Sequence, residues 1–195
     1  MTTTVVERTT EPFAFMACLE LEARSVLVVG GGPIALEKTV SLLAVGADVT
    51  VVSRTFVDGL LELDIERVER DFELADLDER WLVVVATDDL GLQGEIALEA
   101  ERRRLFCNVV DEPARCSLIL PAVHREGPIT IAVSTAGASP ALAKRLRDDF
   151  AARVGPRHAD LARQLRELRP WAKRSLPTYD DRKEYFERLV ERSFS

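Results

Sequence analysis

Cysteine and histidine are scarce in these 195 residues: Cys18, Cys107 and Cys116, with His124 and His158. Cysteines so few and so unevenly spaced form neither a disulfide framework nor a CxxC metal site. Two histidines do not make a histidine-clustered zinc hydrolase, and no set of metal ligands is expected. No apolar run approaches the about 18 residues that a spanning helix needs, so no membrane partner is expected. The opening residues, MTTTVVERTTEPF, carry acids and lack a continuous apolar stretch, which argues against a secretory signal and for a cytoplasmic location.

Hydrophobic residues make up 47% of the chain, enough to bury a core and to exclude general disorder. The net charge of −7 conceals an asymmetry: residues 142–195 hold 14 basic and 9 acidic groups, whereas residues 1–141 are strongly acidic. A basic C-terminal part suits an anionic ligand, or else is a solvated helical surface. Its basic residues are spread among acids and form no stripe, so no nucleic-acid partner is expected.

Residues 1–12 read as a loose, Thr-rich tail. Ser25–Val29, SVLVV, is a continuous β-branched run that enters Gly30-Gly31-Gly32, and so reads as a buried parallel strand. A helical pattern follows from Pro33 to Val45, with Ile34, Ala35, Leu42 and Leu43 on one face and Gly46 as its stop. Val49–Val52 is a second strand, and 59–73 a short helix and a strand near Ile65–Val68. Trp81–Ala86 is a further buried strand, Leu90–Arg104 a helix ending in arginines, and Leu105–Val110 a fifth strand. This alternation predicts an α/β, Rossmann-like doubly wound parallel sheet over residues 13–113.

The rhythm then changes. Ser117–Leu120 and Ile129–Ser134, separated by a turn near Glu126-Gly127-Pro128, predict a strand pair. Ser139 caps a helix opened by Pro140, with Leu142, Leu146 and Phe150 on one face. Helices over Arg157–Leu168 and Tyr179–Arg192, divided by Pro170 and Pro177, complete the chain. Residues 114–153 are expected to form a dimerisation segment and 154–195 a helical domain.

Gly30-Gly31-Gly32-Pro33-Ile34-Ala35 fits G-x-G-x-x-A between a strand and a helix. Gly30 permits the tight turn, Gly32 leaves room for a pyrophosphate, and Ala35 lets the helix pack closely, while amides at the helix N-terminus receive the phosphates. The acid expected at the end of the second strand is missing, because that end reads Val52-Ser53-Arg54-Thr55. Ser53 and Thr55 are placed to bond a ribose, and Arg54 to face a 2′-phosphate or solvent, so NAD and NADP both stay open from these residues alone.

Four separated runs, VLVVGGGPIALEK, WLVVVATDD, FCNVVDEP and SLILPAVHREGPITIAVSTAGASPALAKRLR, occur in an order that resembles the siroheme-synthase module acting on precorrin-2. This is the family of precorrin-2 dehydrogenases that are often also sirohydrochlorin ferrochelatases, and the resemblance runs from about Phe13 to the C-terminus. No second glycine-rich methyltransferase domain follows, so a stand-alone form is expected. The resemblance implies oxidation of precorrin-2 to sirohydrochlorin with NAD, a homodimer, and Fe²⁺ as a further substrate in members with chelatase (lyase) activity. It maps the catalytic aspartate to Asp111 and cofactor contacts to Gly32, Pro33, Ile34, Arg54 and Thr55; Gly30, Ser53 and Thr87 complete the expected cofactor set.

A polycarboxylate substrate needs cationic and neutral donors. Asn108, Ser117, the loop bearing Ser134, Thr135 and Gly137, then Ser139 and Lys144, with Arg145 or Arg147 beyond, are the candidates. His124, beside Arg125-Glu126-Gly127, reads as a surface residue in a turn rather than a metal-delivery ligand. A competing function of another class is an NAD(H)-binding regulatory module without chemistry.

Overall fold

A computed structural model describes residues 16–194; the expected N-terminal tail lies outside them. The chain forms two compact units, one ending at Leu120 and the other beginning at Pro121.

The first unit contains β1 (Ser25–Val29), α1 (Pro33–Leu43), β2 (Asp48–Ser53), α2 (Asp58–Leu61), β3 (Glu66–Glu69), β4 (Leu82–Val85), α3 (Leu90–Arg103) and β5 (Phe106–Val109). All strand pairings are parallel and the spatial order is β3-β2-β1-β4-β5. This is the doubly wound sheet expected from the alternation. Its strands are unbroken apolar runs because both faces are covered. Val26 and Val28 face the core shared with Ala35 and Leu42 of α1, while Leu27 and Val29 face the core shared with Ile96 and Ala100 of α3. Successive residues of one strand therefore fill two different cores. The order reverses between β1 and β4, and ligands of open α/β sheets bind beyond the carboxyl ends of strands at such a point.

Three expectations need correction here. Ser117–Leu120 is not a strand: the amides of Ser117 and Leu118 both donate to the Cys107 carbonyl, at 3.0 and 3.1 Å, which ties this segment to the first unit. The antiparallel pair is instead β6 (Ala122–Glu126) with β7 (Ile129–Val133), in the second unit. On α1, Ile34 is exposed and Thr39 takes the buried place between Ala35 and Leu42.

The second unit continues with α4 (Pro140–Ala151), α5 (Pro156–Ser175) and α6 (Tyr179–Phe194). Pro170 lies inside α5 rather than ending it. Proline removes one helical hydrogen bond, but the turn around it is held by buried Ala172 and by Trp171, whose ring lies 5.4 Å from that of Tyr185 on α6. Thr178 and Asp181 form a reciprocal cap that starts α6. Among the described residues, no helix is long and apolar enough to cross a membrane.

Candidate active site

The three glycines after β1 serve three different purposes. Gly30 has φ +123°, and a Cβ there would collide with the Ala86 carbonyl at the end of β4. Gly31 presses on the loop after β2: a Cβ would collide with the Thr55 carbonyl oxygen and lie 2.8 Å from Ser53 Oγ. The same loop is fastened by the Val57 amide, which donates to the Gly31 carbonyl at 2.9 Å. Gly32, the residue before α1, faces open space, where a Cβ would meet nothing within 4 Å. It offers no side-chain cap, so the first amides of α1 after Pro33 have no such partner. Buried Ala35 seats the helix against the sheet. Open volume above unsatisfied helix amides suits a pyrophosphate in both shape and charge.

Around this turn stand the other expected cofactor residues. Pro33 and Ile34 are exposed at the start of α1. Ser53, Arg54 and Thr55 leave the end of β2, and the Arg54 guanidinium meets Asp71 at 3.3 Å. Thr87 follows β4. Its carbonyl accepts from Gln93 Nε2 at 2.7 Å and its hydroxyl from the Asp89 amide at 3.3 Å, while Asp89 caps α3 through the amides of Gly91 and Leu92.

Asp111 lies just beyond β5, at the same edge of the sheet. Adjacent strands are about 4.8 Å apart, so it is roughly 10 Å across the sheet from the glycine turn. Its φ of +59° puts a non-glycine residue in the left-handed region, which aspartate tolerates better than most. The local backbone is held by the Val110 amide on the Val85 carbonyl and by the Pro113–Arg115 turn, whose Arg115 donates to the Leu90 carbonyl at 2.7 Å. The carboxylate itself is exposed, and among the described residues no hydrogen bond or ion pair holds it. Nearby thiols do not compete as bases. Burial pushes the Cys107 thiol up to about 12, and burial likewise raises Cys116.

Two substrate candidates also bond the scaffold. Asn108 is buried and its amide donates to the Leu118 carbonyl at 3.0 Å. Ser117 Oγ accepts from the Cys107 amide at 2.9 Å. Both staple 117–118 onto β5, while the exposed Ser117 hydroxyl keeps its own proton to donate.

In the second unit, the loop from β7 to α4 is closed on itself. Thr135 Oγ1 accepts from the Ser139 amide and donates to its carbonyl, both at 3.1 Å, and Ser134 Oγ accepts from the Ala136 amide at 3.2 Å. Ala136 and Gly137 both have positive φ, and Ser139 caps α4 through the Leu142 amide. Arg145 and Arg147 pair with Asp149 and Asp148, whereas exposed Lys144 has no ion pair among the described residues. His124 lies within β6 rather than in the turn, with its Nε2 buried and without a partner among the described residues.

Gly31, Gln93 and Arg115 were not singled out by the sequence reading. Gln93 left a trace: it is a polar residue in phase with Ile96 and Ala100 on the buried stripe of α3. Arg115 and Gly31 left none, since both act through backbone carbonyls distant in the chain.

A family model described as "Putative NAD(P)-binding" matches residues 17–122, and one described as "Sirohaem biosynthesis protein central" matches residues 126–153. Curated relatives include siroheme synthases of Salmonella schwarzengrund and Salmonella typhi, each 36% identical over 178 residues, which is 87% of this chain and 38% of the relative. The chain thus spans under two fifths of the length of these relatives. A solved structure described as "SirC, precorrin-2 dehydrogenase" superimposes with a TM-score of 0.77 at 27% identity, covering 90% of this chain and 89% of the other. The dinucleotide cofactor read from the glycine turn is borne out by these matches. Matched over more than half of its length by the first model, and carrying its glycine turn at the switch point of a parallel sheet, the chain belongs to this NAD(P)-binding family.

Proposed function

We propose that the chain oxidises precorrin-2 to sirohydrochlorin, with NAD as hydride acceptor, as a step of siroheme biosynthesis. The observation that supports this reading is the exposed Asp111 carboxylate, without a hydrogen bond or ion pair among the described residues, at the edge of the sheet that also bears the glycine turn. The resemblance to siroheme synthases and to a precorrin-2 dehydrogenase supplies the substrate class.

Dehydrogenation removes a hydride and a proton from the tetrapyrrole, and NAD, when bound, takes the hydride. The chain's own residues do the rest. Gly32 and the first amides of α1 hold the pyrophosphate, with Pro33 and Ile34 beside it; Ser53, Arg54 and Thr55 meet the adenosine ribose. Thr87, held by Gln93, borders the crevice. Asp111 Oδ accepts the proton, a task suited to a carboxylate with no competing internal donor. Fe²⁺ belongs to this reading as a second substrate, liganded by the macrocycle's own nitrogens; Fe²⁺-dependent consumption of sirohydrochlorin tests it.

A second copy of the chain is the proposed partner. Leu142, Leu146 and Phe150 share one face of α4 and are 50%, 36% and 48% exposed, an apolar stripe suited to an isologous interface. Leu146→Glu is expected to turn a dimer into a monomer, as measured by light scattering.

Precorrin-2 incubated with the protein and NAD is expected to give the sirohydrochlorin spectrum with matching NADH. Asp111→Ala is expected to abolish turnover while retaining NAD binding. NAD binding without any spectral change in active substrate overturns the enzyme and leaves the regulatory module.

A further inference from the structure

The carboxylate absent from the end of β2 is supplied from the neighbouring strand. In the parallel register Ser53 lies opposite Glu69 of β3, and the chain leaving β3 brings Asp71 to Arg54, with Nε to Oδ1 at 3.3 Å. Both side chains are open to solvent, 79% and 84% exposed, so the pair adds little to stability. Its place is nevertheless fixed from both sides. Arg70 donates to the Asp71 carbonyl at 2.8 Å and to both carboxylate oxygens of Asp76, at 2.8 and 2.6 Å, which anchors the backbone that carries Asp71. Its hydrogen bonds hold the Asp76 carboxyl below the usual range, so this anchor stays charged at neutral pH. On the other side, the loop carrying Arg54 is pressed against Gly31 through Thr55 and Val57.

An adenosine ribose at the end of β2 therefore meets an arginine already paired with an acid. We infer that Asp71 sets the choice of dinucleotide, by occupying Arg54 and by opposing the negative charge of a 2′-phosphate, so that the site takes NAD and rejects NADP. The inference rests on the dinucleotide reading of the glycine turn. A 2′-hydroxyl is compatible with the pair, because it can donate to the carboxylate or accept from the guanidinium. A 2′-phosphate must displace Asp71 from Arg54, and the second arginine of this edge, Arg70, is engaged with Asp76. Like charges brought together in this way give strong discrimination between ligands even where the ion pair contributes little to folding.

Equilibrium titration of the full chain with NAD⁺ and with NADP⁺, followed by calorimetry without substrate, tests this. The parent protein is expected to bind NAD⁺ at least about tenfold more tightly. Asp71→Asn is expected to tighten NADP⁺ binding about tenfold and to leave NAD⁺ binding within about threefold. Arg54→Gln is expected to weaken NADP⁺ further, and Asp71→Asn with Arg54→Gln to lose the gain. Both positions lie on the surface, and an unchanged circular dichroism spectrum and melting temperature report an intact fold. An unchanged NADP⁺ affinity in Asp71→Asn, or equal affinities in the parent, overturns the role of Asp71 while the dinucleotide reading stands. Binding of neither dinucleotide overturns both.

Discussion

The two units handle their polar groups in opposite ways. In the first, the loops at the carboxyl edge of the sheet leave groups open: the space above Gly32 and the carboxylate of Asp111. In the second, Ser134, Thr135 and Ser139 satisfy one another's loop, and α4 exposes an apolar stripe. Open polar groups at a switch point are features of a site for chemistry, whereas satisfied loops beside exposed leucines are features of a surface for another protein. The contrast teaches that a serine-rich loop is not by itself a substrate cradle; its hydroxyls must first be shown to lack internal partners.

That contrast can be broken most sharply at Asp111. Asn is compatible with its left-handed backbone but cannot take the proton, so Asp111→Asn is expected to lower turnover about 10²–10⁴-fold with an unchanged melting temperature. Thr135→Val in the second unit is expected to move the melting temperature more than turnover; the reverse pattern would dissolve the distinction. The glycine turn sharpens it next. Gly31→Ala drives a methyl into the Thr55 carbonyl and is expected to cost about 1–3 kcal/mol in urea unfolding. Gly32→Ala enters open space and is expected to leave stability alone while weakening NAD binding about tenfold.

A smaller effect separates scaffold from site within the first unit. Asn108→Ala leaves the Leu118 carbonyl without its donor and is expected to destabilise by about 1–3 kcal/mol, with KM for precorrin-2 little changed; a large rise in KM would return Asn108 to the substrate. The smallest effect concerns pH. The hydrogen bonds from Arg70 hold Asp76 below the ordinary carboxylate range. Its contribution to stability is therefore fully present above a pH of about 4 and is lost as the pH falls through the lowered folded value. Asp76→Asn is expected to reduce that acid-side slope in urea unfolding measured from neutral to acid pH.

The sheet was legible because its strands are continuous apolar runs bounded by glycine and helix starts, and the periodicity of α3 was equally plain. The glycine turn was legible from its spacing together with its place between a strand and a helix. What escaped were contacts closed by the fold. Ser117–Leu120 has strand composition, but two of its amides converge on one carbonyl, that of Cys107, so no ladder forms. Pro170 reads as a stop, yet Trp171 and Ala172 carry α5 past it. The Arg54–Asp71 pair escaped as well, because only the register of β3 against β2 brings the chain carrying Asp71 to Arg54. The backbone bonds of Asn108 and Ser117 escaped for a related reason: a polar residue near a strand end can serve the scaffold as readily as a ligand.

The clasp between Gly31 and the Ser53–Val57 loop bears on the kinetics of cofactor capture. In the proposed NAD site the glycine turn and this loop are fastened to each other, so binding is expected to need no movement of one against the other. Observed rates in stopped flow should climb in a straight line with NAD concentration rather than level off to a plateau.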